Sequence, residues 1–148
     1  GQTLERGVTF LATSGEEYDK AGAEHYAARR RGEGTYDIIR FLVNVDSATW
    51  GPDMQISTSD DQLWQTIQEI DTQLDLPGAP VLSGPDGFAL DGRPFRDTGA
   101  RAMYVNSTGY ELTHLCHRPE ATPETVPADC VEIFFRLMLE YLNRIQTI

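Results

Sequence analysis

GVTFLATSGEEYDKAGAEHY, residues 7–26, changes character halfway along. Val8-Thr-Phe-Leu-Ala12 is a short apolar run of strand formers bounded by Gly7 and by Ser14-Gly15, and it reads as a buried strand. From about Ala21 to Arg31 the chain is alanine-rich, ends in arginines that suit a helix C-terminus, and stops at Gly32 and Gly34, so it reads as a helix. Between the two stand adjacent acids, Glu16 and Glu17, at the C-terminal end of the expected strand. Open α/β sheets place their sites there. Adjacent acids diverge in direction, so one can bind a metal while the other faces a water held by that metal. Standing alone, the pair reads as a solvated turn before a helix.

Outward from this stretch, strands and helices alternate. Ile38-Ile-Arg-Phe-Leu-Val-Asn-Val45 is the strongest strand pattern in the chain. Asp53 to Thr58 reads as a short strand. A helix capped near Ser59 or Asp60 follows, and it would bury Leu63, Ile67, Ile70 and Leu74 at helical spacing. Pro77 to Pro94, rich in Gly, Pro and Asp, reads as a long loop, and Ala100 to Asn106 as another strand. Pro127 to Ile145 closes the chain as an amphipathic helix with Val131, Phe134, Phe135, Met138, Leu139 and Leu142 on one side. The alternation predicts a layered α/β fold with a largely parallel sheet, and 148 residues fit a single domain.

With 23 acids against 12 bases the net charge is −11, the reverse of a nucleic-acid binder's balance. Polyanions and anionic membranes are therefore not expected as partners. The longest apolar runs, Val8–Ala12, Phe41–Val45 and Ile133–Leu139, fall far short of the roughly 20 residues that span a bilayer. No basic segment followed by an apolar one marks a signal peptide. Cys116 and Cys130 permit at most one disulfide. They would flank the turn before the final helix, where a disulfide and a pair of buried thiols both fit.

Three more segments carry candidate chemistry. Asn44-Val45-Asp46 ends a buried strand in an acid, which read alone is a turn or helix cap. Asp91-Gly-Arg-Pro-Phe95-Arg-Asp-Thr-Gly99 is a loop leading into a strand. His114-Leu-Cys-His117-Arg-Pro-Glu-Ala-Thr-Pro-Glu-Thr-Val126 places histidine before a proline-rich turn and a long helix. His25 reads as a surface residue of the first helix. The spacing of His114, Cys116 and His117 matches no zinc knuckle.

In their order these four segments resemble the co-catalytic zinc aminopeptidases: strand-Gly-Glu-Glu-x₄-Gly-Ala, a strand ending in Asn-x-Asp, Asp-x-x-x-Phe-x-x-x-Gly, and His-x-Pro-x-x-Thr-Pro-x-x-Val. Bacterial leucyl-type aminopeptidases belong to this family, and glutamate carboxypeptidase, glutaminyl cyclase and the transferrin-receptor ectodomain are relatives. The resemblance spans about residues 7 to 145. It implies a three-layer α/β/α fold and a peptide substrate. It also implies Glu16 as the general base that deprotonates a metal-bound water, Glu17 and His117 as ligands of one zinc, and Asp46 as a ligand of the other. The residue types suit that role: carboxylate and neutral imidazole bind Zn²⁺, which lowers the pKa of bound water.

Departures from the family pattern are also legible. Leu90-Asp91-Gly92 stands where the family often has Ser-Asp-His, and Ala121 where many members have Asp. The family's upstream half, with a His-x-Asp motif and a bridging Asp, has no counterpart in Gly1 to Arg6. The resemblance thus implies the C-terminal part of a zinc-peptidase domain, with a partial metal set and no measurable activity alone. A non-catalytic binding or dimerisation module, and a one-zinc acyltransferase of the glutaminyl-cyclase kind, are the alternatives it carries. An exposed sheet edge beside Val8–Ala12 would invite pairing with a second copy, and the charge of −11 favours a homodimer over a precipitate.

Overall fold

The computed structural model describes residues 4–49, 54–77, 81–82, 91–107 and 114–148. Its frame is a four-stranded sheet built from β1 (Phe41–Val45), β2 (Met54–Ser57), β3 (Val81–Leu82) and β4 (Arg101–Ser107), in the order β1-β4-β2-β3. β1 and β4 run parallel, with Phe41 opposite Arg101 and Val45 opposite Val105. β2 is antiparallel to β4 and parallel to β3. The central strand β4 is covered on both faces, as a strand in a mostly parallel sheet must be. Met103 and Val105 point into one core and Tyr104 turns to the other side.

The first core lies between the sheet and two helices, α2 (Asp61–Leu74) and α3 (Ala128–Arg144). Leu63, Ile67 and Ile70 of α2 are fully buried, and Leu74 packs half-buried beside them. Asp60 caps α2, its Oδ1 accepting the Leu63 amide at 3.0 Å, which satisfies one of the helix's open N–H groups. The same carboxylate grips Arg101 at the start of β4 through two hydrogen bonds, of 2.5 and 2.7 Å. That bidentate bond is the main cause holding the Asp60 carboxyl below its usual range, and it fastens helix to sheet.

α3 buries Cys130, Leu137 and Tyr141, with Ile133, Phe134, Met138 and Leu142 packed against the core. Here the expected apolar face is corrected. Val131, Phe135 and Leu139 are 43%, 60% and 51% exposed. They follow one another at i, i+4 and i+8 and form a separate stripe, while positions 134, 137, 138 and 141 face inward. Of the two states open to the cysteines the structure has the free thiols, with Cys130 buried and Cys116, against expectation, exposed.

The second core covers the opposite face. α1 (Ala21–Gly32) buries Ala23 and Ala27 against Tyr36, Phe95, Ile39 and Leu42. Phe95 comes from a 3₁₀ segment, Arg93–Thr98, and stacks on Tyr36 at 6.2 Å. Arg31 lies over the Tyr36 ring at 4.2 Å and donates to the Pro94 carbonyl at 3.0 Å. The result is helix, sheet, helix: the three-layer α/β fold expected.

The expected strand Val8–Ala12 is not a strand. Residues 7–15 join no ladder, and Phe10 is 88% exposed. A strand exists only as a partner in a ladder, and β1, at the edge of the sheet, pairs among the described residues with β4 alone. The long loop from Pro77 contains the two-residue β3 and the start of the 3₁₀ segment; its residues 78–80 and 83–90 lie outside the described set, as does Asp53. No described helix is long and apolar enough to cross a membrane.

Candidate metal and catalytic site

Glu16 and Glu17 stand on a compact turn between residues 13 and 22. Gly15 adopts a left-handed conformation, φ 71°, which glycine tolerates without cost. Its carbonyl accepts the amides of Tyr18 and Ala21 at 3.1 and 3.0 Å, and the Glu16 carbonyl accepts Lys20 at 2.9 Å. The Gly22 amide closes the turn onto the Ser14 carbonyl at 2.9 Å. Gly22 is required by space: a Cβ there would lie 2.5 Å from the Ser14 oxygen. The turn is thus pinned to the first residues of α1.

Glu17 meets His117, a hundred positions later. Glu17 Oε1 lies 3.0 Å from His117 Nε2, with the side chains 63% and 69% exposed. A carboxylate–imidazole contact so open to water adds at most about 1 kcal/mol to stability. His117 also holds a left-handed backbone, φ 59°, uncommon for a non-glycine residue though histidine is among those enriched there. Around it the chain turns tightly, Arg118 donating to the Leu115 carbonyl at 3.0 Å and Ala121 to that of Arg118 at 3.1 Å. The 3₁₀ turn Pro123–Thr125 then leads into α3.

Glu16 is half-buried beside this pair. Partial loss of water raises its carboxyl pKa, the charge and hydrogen bond of Glu17 add to that, and Asp91 adds again; Lys20 opposes them. Asp91 also accepts a hydrogen bond from the Thr13 hydroxyl. Asp46 follows β1 directly. Its amide extends the ladder onto the Val105 carbonyl at 3.0 Å, and its Oδ1 accepts the Ser47 hydroxyl at 3.0 Å. Ser47 is left-handed, φ 53°, and its carbonyl accepts the amide and hydroxyl of Ser107 at 3.2 and 2.7 Å. Asp46 is therefore fixed at the C-terminal end of the sheet.

The chain brings Glu17 and His117 together and holds Glu16 on the same turn. It does not gather Asp46 with them into a donor cluster: among the described residues no group of three or more His, Cys, Asp or Glu is placed to hold a metal ion. In type the donors fit zinc. In spacing the pair fits as well, since two atoms each about 2.0–2.1 Å from a tetrahedral zinc lie roughly 3.3 Å apart. In number they fall short of the three protein ligands usual for a catalytic zinc.

Comparison with known proteins gives the family. The sequence model of peptidase family M28 matches residues 1–142. No curated protein sequence matches the chain. Among solved structures, the LapA aminopeptidase of Legionella pneumophila superposes with a TM-score of 0.77 at 15% identity, over 99% of this chain and 42% of that one. A glutaminyl cyclase from an Acidobacteriales bacterium superposes with a TM-score of 0.68 at 18% identity, over 86% of this chain and 46% of that one. At such identities the likeness is one of fold, and the chain spans less than half the length of either structure. The match across residues 1–142 assigns the chain to peptidase family M28, whose members are generally zinc-dependent.

Proposed function

We propose that this chain carries one side of the reaction centre of a zinc-dependent exopeptidase of the aminopeptidase type, acting on peptide substrates. The observation that carries the reading is the 3.0 Å contact between Glu17 Oε1 and His117 Nε2, a carboxylate and an imidazole brought together from far apart in the chain without a stability reason. In this reading Glu17 and His117 hold one zinc and Asp46, at the C-terminal end of β1, contributes to the second. When bound, zinc supplies Lewis acidity toward the scissile carbonyl. Glu16 accepts the proton of the attacking water at its carboxylate and returns it to the leaving amine. Its raised pKa brings it closer to the working pH, where such a group transfers protons best.

The test is turnover of leucine p-nitroanilide by residues 7–142 grafted into the frame of an aminopeptidase of this fold. The reading predicts that Glu16→Gln lowers kcat about 10²- to 10⁴-fold at unchanged zinc content. Turnover indifferent to Glu16→Gln contradicts it. A second reading, acyl transfer as in a glutaminyl cyclase, is supported by the fold likeness to that enzyme. It predicts one zinc per centre and cyclisation of N-terminal glutamine in the same graft.

A further inference from the structure

Asp91 belongs to a loop that the reading above leaves without a role, yet the structure fixes it from two directions. On its C-terminal side, Gly92 lies so close to the sheet that a Cβ there would meet Tyr104 Cε1 at 2.6 Å and Leu42 Cδ2 at 3.2 Å. Only glycine lets the backbone approach like this. The 3₁₀ segment that follows is anchored by buried Phe95 among Ala23, Ala27 and Tyr36. Asp91 is thereby held against β1 and β4 before its side chain makes any contact.

On the other side, Asp91 Oδ2 accepts the hydroxyl proton of Thr13. Thr13 stands immediately before the residues that build the glutamate turn: Ser14, whose carbonyl takes the Gly22 amide, and Gly15, whose carbonyl takes those of Tyr18 and Ala21. Residues 7–12 lie outside every ladder, so the entry to the turn is not fixed by the sheet. The Thr13 hydroxyl fastens it. A hydroxyl given to a carboxylate is a charge-assisted bond, stronger than a neutral one. The other oxygen, Asp91 Oδ1, is buried with no hydrogen-bond partner among the described residues, which makes the loss of Thr13 more costly still. Asp91 is also near enough for its charge to act on Glu16.

We infer that Asp91, acting through Thr13, is the positioning residue of the Glu16–Glu17 turn, tying the two glutamates to the sheet layer across 78 positions of sequence. That this positioning serves peptide hydrolysis rests on the function proposed above; the tether itself does not.

Amide hydrogen exchange on the chain, read by NMR, tests it. The reporters are the amides of Tyr18, Lys20, Ala21 and Gly22, all bonded within the turn; the references are Ile67 in α2 and Met103 in β4, both in the main core. Thr13→Val keeps the shape and removes the donor, Asp91→Ala removes the acceptor, and Thr13→Ser restores the donor. The four turn amides should exchange about tenfold faster or more in Thr13→Val and Asp91→Ala. They should return near the native rate in Thr13→Ser, with Ile67 and Met103 unchanged throughout. Unchanged turn amides in Thr13→Val overturn the inference. So does a Thr13→Ser variant as fast as Thr13→Val, or an equal acceleration of Ile67 and Met103, which would make the contact a general stability element. No metal or substrate takes part, so failure of the peptidase reading would leave this result untouched.

Discussion

Lost water, and then two neighbouring carboxylates, raise the Glu16 carboxyl pKa above its ordinary value. With its folded pKa above the unfolded one, the native state binds its proton more tightly. That contribution favours folding at low pH and is lost as pH rises through the folded value. Glu16→Gln should therefore raise the melting temperature relative to the native chain, and the increment should grow from pH 4 to pH 7; an increment that shrinks over that range contradicts the assignment. Gly22 makes a second claim at this scale. A methyl group 2.5 Å from the Ser14 carbonyl forces the turn or the helix to move, so Gly22→Ala should destabilise the chain by about 1–3 kcal/mol in urea denaturation. Gly32→Ala, with open space around its Cβ position, should not. The segments that hold Glu16, Glu17, Asp46 and His117 were legible as motifs, and the roles proposed for them come from the family resemblance those motifs carry. Asp91 was not: its loop was singled out, but its bond to Thr13 crosses 78 positions and leaves no local pattern. The neighbouring Gly92, where a loop must approach a sheet face, is the trace it leaves in the sequence.

The elements divide along the same line. β1, β2, α2 and β4 were readable because each shows its own period and boundary, down to a cap at Ser59 or Asp60, which proves to be Asp60. That cap also holds Arg101, so Asp60→Ala should cost about 2 kcal/mol or more, against less than about 0.5 for exposed Asp61→Ala. Because Arg101 depresses the Asp60 carboxyl, that stability is present above the unfolded carboxylate value and is lost as pH falls through the folded one. α3 shows what periodicity cannot decide. Apolar residues cover more than half of its circumference, so the pattern alone does not choose the face, and the fold buries Leu137 and Tyr141 while leaving Leu139 half in water. Leu137→Ala should cost about 2–5 kcal/mol and Leu139→Ala well under 1, measured by denaturation; equal costs would contradict the helix orientation. The missing strand at Val8–Ala12 failed for a related reason: its composition is right, but a ladder needs a neighbour that composition does not supply.

Across the whole molecule, three layers set the C-terminal ends of β1 and β4, the glutamate turn and the histidine turn before α3 into one frame. Val8, Phe10, Leu11, Ile38 and Val45 are exposed, Val45 within the edge strand β1 and Ile38 just before it, and exposed apolar surface beside an open edge invites pairing. We expect a discrete dimer in sedimentation at moderate salt, returned to monomer by Phe10→Asp; a monomer at all micromolar concentrations would show that the edge is closed within one chain. We also expect no measurable turnover of aminoacyl anilides by this chain alone, since the two donors gathered among the described residues are fewer than a catalytic zinc needs. The central claim is narrower than activity: Glu17 and His117 form one metal-binding pair. Calorimetric zinc titration of the native chain, Glu17→Gln, His117→Ala and the double variant tests it most directly. The account predicts weak binding by the native chain, at least about tenfold weaker in each single variant, with the double variant no weaker than the singles. Zinc binding equally strong in all four proteins would contradict it.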